Sequence, residues 1–175
     1  RCTRCLTIGK SIRGAAVSYR FGEGSQAKMA EGLVADLARC LNFAIEVTEQ
    51  DFCVWEVART LERQAALVAA KASRTLDSHH IPDVHGRVHA VDAVPWIAGG
   101  PRWLDAPGLV VAKAMHRAVR KFDVPVTWGG VFDKLFAALD PLDLDGEIEA
   151  YVARFRARNG RKPLVDIWHY QVPRL

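Results

Sequence analysis

The chain has 175 residues, half of them hydrophobic and a quarter charged, with a formal net charge of +4. A chain of that size fits one domain that buries roughly 68–70% of the surface its unfolded form exposes, so it needs no metal or disulfide staple to fold. No run approaches the roughly 20 apolar residues that cross a bilayer, which argues against an integral membrane protein. The basic balance is mild and spread out, favouring polyanions or an acidic wall without any motif or stripe for nucleic acid.

The chain begins at Arg1 rather than Met, which leaves room for a removed signal peptide. Residues 1–24, with four glycines and scattered basic side chains, are expected to form an extension holding at most short strand segments. Within it Cys2 and Cys5 make a Cys-x-x-Cys. With no second such pair and no βαβ pattern around it, a terminal remnant is a better account than half a zinc site or a redox pair. The remaining chain, 25–175, is expected to be a single domain. Ser25 is a candidate N-cap for a helix carrying Met29, Leu33, Leu37, Cys40 or Leu41, and Ile45 at helical spacing.

Phe52 to Val57 is short and rich in β-branched and aromatic residues, so a strand is expected. Cys40 and Cys53, inside these two stretches, are expected to be buried as small hydrophobes. Thr60 caps a second predicted helix with Leu61, Ala65, Leu67 and Val68 inward. After Ser73 the pattern breaks, and it recovers at Ala90 to Trp96 as the alternation of a half-buried strand. Gly99-Gly100-Pro101 predicts a turn, Leu109 to Phe122 an amphipathic helix, and Val124 to Trp128 a strand. Asp145 to Arg158 predicts a charged helix with Ile148, Tyr151, Val152 and Phe155 on one face and Gly160 as its stop. Leu164 to Val172 is the last predicted strand. Helices first, then strands interrupted by helices, point to an α+β fold with a small antiparallel sheet and helices packed around it.

The break between Ser73 and Ala90 holds the chemistry. Of six histidines, four fall between positions 79 and 89, a crowding that packing does not explain, and neutral imidazole is the commonest protein ligand for a transition metal. Asp92 is a charged residue in an otherwise apolar strand, where a carboxylate must be paired with a cation or bound to a metal. Arg59 or Arg87 would be its partner in the plainer case. Near the C-terminal end, His169 follows Asp166 by three residues. Two imidazoles, one carboxylate and an open position make a catalytic zinc site. On a regular strand Asp166 and His169 would point to opposite faces, so either a bulge brings them together or Asp166 lies before the strand proper.

Ser78-x-His80, then His89-Ala90-Val91-Asp92, then Asp166-x-Trp168-His169 resemble, in order, the motifs of the M15 zinc peptidases. That family includes D-alanyl-D-alanine carboxypeptidases and dipeptidases and the L-alanyl-D-glutamate endopeptidases of bacteriophage endolysins. The resemblance runs from roughly Ser25 to Val172. Further landmarks at Arg59 to Gln64, Ser73-Arg74-Thr75 and Trp128-Gly129-Gly130 look closest to the endolysin branch. It implies that His80, Asp92 and His169 hold Zn2+, that Asp166 is the general base, and that Arg59 binds a carboxylate or carbonyl of the substrate.

Two departures stand out. The run from His80 to Asp92 is longer than the family's usual spacing. Its extra loop, Ile81 to Gly86, resembles a variant of some phage members and leaves His79, His85 and His89 as rival ligands. Asp166 stands where several carboxypeptidases carry glutamate, which favours the endopeptidase. The segment Phe132 to Pro163 is also long for the family and is a candidate cover for the cleft. Trp96, Trp103, Trp128 and Trp168 could line a peptide groove, although core packing accounts for most of them.

The implied function is therefore a monomeric peptidase of the peptidoglycan stem, made in a host cytoplasm and acting at the cell wall, or secreted if a signal peptide has been removed. The alternatives are D-alanyl-D-alanine cleavage by the same site, and a wall-binding domain whose zinc is structural.

Overall fold

A computed structural model describes residues 18–174; the Cys2 and Cys5 pair lies outside them. The architecture is α+β, with a small antiparallel sheet and helices around it. In chain order the elements are α1 (Glu23–Met29), α2 (Ala35–Val47), β1 (Phe52–Glu56), α3 (Leu61–Ala69), β2 (Ala90–Ile97), β3 (Gly100–Pro101), α4 (Asp105–Phe122), β4 (Thr127–Trp128), a 3-10 turn (Phe136–Ala138), α5 (Leu144–Asn159) and β5 (His169–Gln171). The sheet order is β1-β2-β5-β4, with β3 folded back on the far end of β2.

One face of the sheet makes the core. Val54 of β1 and Val91 and Ala93 of β2 meet Leu37 and Leu41 of α2 and Val111 and Met115 of α4 in one buried apolar cluster. Side chains alternate across a strand, so Asp92, between Val91 and Ala93, stands on the opposite face. There it lies directly across from Glu56 of β1 and His169 of β5. The core thus fixes which way the polar residues of three strands point.

The predicted first helix is two helices. Ser25 sits inside α1 rather than capping it, and its hydroxyl accepts a hydrogen bond from the Val54 amide at 3.1 Å. Glu23 and Gly24 likewise belong to α1 and not to an extension. The break falls at Gly32, which adopts φ +100° and whose missing side chain makes room for the Gly86 carbonyl of the histidine loop. Val88 then donates to the Gly32 carbonyl at 2.8 Å and accepts from Val34 at 3.1 Å. Helical spacing continues across the break because both helices pack on the same core.

Thr60 caps α3 as expected, accepting from the Arg63 amide. Its inward residue, however, is Gln64, fully buried, while Leu61 and Ala65 are exposed and Leu67 and Val68 only partly covered. The face of α3 that turns in meets polar groups, so apolar periodicity misplaces it. β2 is buried on both faces from Ala90 to Pro95 rather than half-buried. α4 begins four residues earlier than predicted, at Asp105, whose charge suits a helix N-terminus. Gly100 and Pro101, expected in a turn, pair with β2, and the turn itself is Ala98-Gly99 at positive φ.

The strand expected from Val124 shrinks to Thr127–Trp128, and the last strand to His169–Gln171. α5 follows its prediction, capped by Asp143 and stopped by Gly160 at φ +65°. Cys40 and Cys53 are buried. No helix among the described residues is long and apolar enough to cross a membrane.

Candidate metal centre

Three of the side chains singled out in the sequence converge. His80 Nε2 lies 3.2 Å from His169 Nδ1 and 3.2 Å from Asp92 Oδ1, and His169 Nδ1 lies 3.1 Å from the same oxygen. Ligands about 2.0–2.1 Å from a tetrahedral zinc stand about 3.3 Å from each other, so the spacing suits one small cation. The outer nitrogens are already committed. His80 Nδ1 is 2.8 Å from the Val57 carbonyl, and His169 Nε2 is 2.9 Å from Gln171 Oε1. Donating outward, each ring keeps its inward nitrogen as a bare lone pair, the tautomer a metal ligand needs. Two lone pairs and a carboxylate oxygen aimed at one point call for a positive charge between them. Among the described residues this is the group of histidines and carboxylates spaced to hold a metal ion.

Each ligand is placed by different means. Asp92 and His169 are register partners on β2 and β5, so the sheet sets their separation. His80 sits in the loop between α3 and β2, buried, with its carbonyl accepting from the Arg59 amide at 2.9 Å. Burial alone would raise the Asp92 carboxyl, but the imidazoles of His80 and His169 hold it well below the usual carboxylate range. Burial pulls His169 down, yet its hydrogen bond and charge attraction to Asp92 leave it raised.

Asp166 lies before β5, in the turn where the chain bends, as one of the two readings of that strand required. Its amide donates to the Gly129 carbonyl at 2.9 Å and its carbonyl accepts from the His169 amide at 3.1 Å. Burial, and then the negative charge of Asp92, push its carboxyl upward. It is therefore a carboxyl within electrostatic reach of the cluster.

Arg59 is held from three sides. Its Nε donates to Glu56 Oε2 at 3.0 Å and Nη2 makes a short contact with the same oxygen, while Nη1 donates to Gln64 Oε1 at 2.7 Å. Nη2 also lies 3.8 Å from Asp92 Oδ2. Asp92 thus turns one oxygen to the imidazoles and the other toward Arg59, combining the two readings that its sequence context allowed. Of the five guanidinium N–H donors, these bonds leave some for a substrate oxygen.

Sequence reasoning missed Glu56 and Gln64. Buried Glu56 also accepts from Arg63 Nε at 2.7 Å. Burial raises its carboxyl, but hydrogen bonds from the two arginines lower it further. Gln64 reaches on to Ser73 Oγ at 2.8 Å and the Thr75 carbonyl at 2.5 Å, tying two of the sequence landmarks into one support. The available signal was a charged residue ending an apolar strand three positions before Arg59. Glu56→Ala is expected to lower the unfolding free energy by about 3 kcal/mol, because the partly buried Arg59 loses its hydrogen-bonded carboxylate and keeps only the more distant Asp92. Urea unfolding at neutral pH measures this, and a change within about 0.5 kcal/mol would show the pair to be dispensable.

The rival histidines go elsewhere. His79 Nδ1 meets the Val172 carbonyl at 2.9 Å, and burial lowers its pKa. His85 is exposed. His89 Nε2 lies 3.1 Å from Asp83 Oδ2, and Asp83 also accepts from the Arg87 guanidinium at 3.0 Å and from the His85 and Arg87 amides. The extra loop is thereby folded about its own aspartate, and Arg87 is taken from Asp92. The long segment after Phe132 reaches the site through Phe132, whose ring stands 6.1 Å from the His169 imidazole. Trp128 is fully buried, donating to the Ile167 carbonyl at 2.8 Å, while Trp103 is 46% exposed.

Residues 17–145 match the family model described as phage L-alanyl-D-glutamate peptidase. The fold is similar to the crystal structure of Serratia marcescens L-Ala D-Glu endopeptidase ChiX, at TM-score 0.63 and 28% identity over 89% of this chain and 91% of that one. No curated protein sequence matches the chain.

Proposed function

The chain belongs to the phage L-alanyl-D-glutamate peptidase family, and from that membership and the convergent donor set we propose a zinc-dependent endopeptidase that cuts the L-alanyl-D-glutamate bond of the peptidoglycan stem. One observation carries the zinc assignment. His80 Nε2, His169 Nδ1 and Asp92 Oδ1 stand within 3.2 Å of one another, and each imidazole is fixed from behind by a hydrogen bond of its other nitrogen. Two imidazoles and one carboxylate form the ligand set of catalytic zinc, which leaves a position for solvent.

His80, Asp92 and His169 would hold the ion. Bound there, zinc supplies Lewis acidity and lowers the pKa of a water to about 7. Asp166 would serve as general base and then general acid, its carboxyl holding the proton that ends on the leaving amine, a role that suits a carboxyl raised by burial and by its neighbour's charge. Arg59, pre-aligned by Glu56 and Gln64, donates its remaining N–H groups to the substrate carbonyl or carboxylate as negative charge gathers there. Glu56 keeps that guanidinium from collapsing fully onto Asp92, which must face the metal. Phe132, its ring 6.1 Å from the His169 imidazole, would flank the ion on that side.

Digestion of purified peptidoglycan, followed by mass analysis with and without a chelator, tests the reading. The expected product carries a new amino terminus at D-glutamate, and the chelator abolishes it. Release of D-alanine instead would move the activity to the other end of the stem. His80→Ala, Asp92→Ala and His169→Ala should each lower zinc content to well below one ion per chain, whereas His85→Ala keeps it. Full zinc occupancy in His80→Ala would mean that another histidine is the ligand.

A further inference from the structure

The two imidazoles of the metal centre are held from behind by different kinds of group, and the difference singles out a residue beyond the ligand set. Behind His80 stands a main-chain carbonyl, that of Val57, 2.8 Å from Nδ1. A carbonyl can only accept, so that ring keeps its proton on Nδ1 whatever side chain position 57 carries. Behind His169 stands the Gln171 side chain, with Oε1 2.9 Å from Nε2. An amide has an oxygen that accepts and an NH2 that donates. Its oxygen, turned to the ring, calls for a proton on Nε2. Its NH2 in the same place would call for a lone pair there, and would leave the proton on Nδ1.

The choice matters because Nδ1 has a second acceptor beside it. Asp92 Oδ1 lies 3.1 Å away, and a carboxylate accepts more strongly than an amide oxygen. His80 Nε2, a lone pair because its ring proton is on the far side, stands at 3.2 Å. Neutral imidazole has a single N–H. On Nδ1 that proton would satisfy Asp92 and occupy the point where the three ligand atoms converge; on Nε2, accepted by Gln171, it leaves that point clear. The last strand builds this geometry. Tyr170 enters the core, so His169 and Gln171 on either side of it share the opposite face. There Gln171 pairs with Ala90 of β2 and Thr127 of β4. Among the described residues the contact with His169 is the one hydrogen bond of its side chain, and Ala90 has no polar group to stand in for it.

We propose that Gln171 is a positioning residue that keeps the His169 proton on Nε2 and so presents Nδ1 to the ion. This rests on the zinc reading of His80, Asp92 and His169. The test measures zinc dissociation constants by competition with a chromophoric chelator for wild type, Gln171→Met and Gln171→Glu, beside thermal unfolding of each zinc-free protein. Methionine keeps the length and removes the acceptor, whereas glutamate keeps an acceptor in place. Gln171→Met should weaken zinc about 10- to 100-fold, the range for losing the outer partner of a ligand. Gln171→Glu should hold close to wild-type affinity, and zinc-free unfolding should differ little among the three. Nitrogen-15 spectra of the histidine rings in the zinc-loaded wild type should show His169 bound through Nδ1 and protonated on Nε2. Wild-type zinc affinity in Gln171→Met, equal losses in both variants, or zinc on Nε2 of His169 would each overturn the role while leaving the zinc site itself standing. A wild type that takes up no zinc would remove the zinc reading and this role with it.

Discussion

Asp166→Asn is expected to keep its zinc and lose turnover by about 10²- to 10⁴-fold, the range a positioned general base contributes. Asparagine has nearly the same shape, so the turn it occupies, held by the Asp166 amide and carbonyl, stays intact. What disappears is the ability to accept a proton. The residue is not among the three that converge at the metal centre, which is why metal content and activity should separate. Metal analysis on the purified variant, beside its rate on peptidoglycan, reads both. Activity within tenfold of wild type would take the base role from Asp166, and undiminished wall binding without hydrolysis in the wild type would favour a binding domain whose metal is structural.

Gly129→Ala is expected to damage both fold and site although it touches no metal ligand by hydrogen bond from a side chain. A Cβ at position 129 would fall on the Asp166 carbonyl oxygen and come within 3.0 Å of His169 Cβ. The backbone cannot step aside, because the Gly129 amide donates to the His169 carbonyl at 2.8 Å and its carbonyl accepts from Asp166. The added methyl must therefore push the turn 166–169, which carries the proposed base and one ligand. Overpacking of this kind costs about 1–3 kcal/mol, and misplacing His169 should weaken zinc at least about tenfold. Thermal unfolding with and without added zinc measures both parts. A variant with wild-type melting and wild-type metal affinity would show that the turn has slack.

Much of this centre was legible in the residues. Asp92 among apolar neighbours, His80 in the crowded loop and His169 near the chain's end were all singled out in the sequence, and the fold brings these three together; the crowding alone did not say which histidine of the loop would join. What stayed hidden depends on three-dimensional neighbours. Glu56 looked like the end of an apolar strand, and only the bulge at Trp55 aligns it with Asp92. Gln64 is the buried residue of α3 because that helix turns inward onto Arg59, Ser73 and Thr75 rather than onto oil, so apolar spacing picked the wrong face. The break at Gly32 was invisible because α2 resumes at helical spacing, and the partner that demands a glycine there, Gly86, is 54 residues further on.

The pairing of Asp92 with His169 joins positions 77 apart in the chain. During synthesis at about 5–20 residues per second, roughly 4–15 seconds separate the two on the ribosome. Throughout that interval the growing polypeptide owns two of its three donors and none of the turn that bears Asp166. The three-donor cluster is complete only once the final short strand is made and pairs with β2.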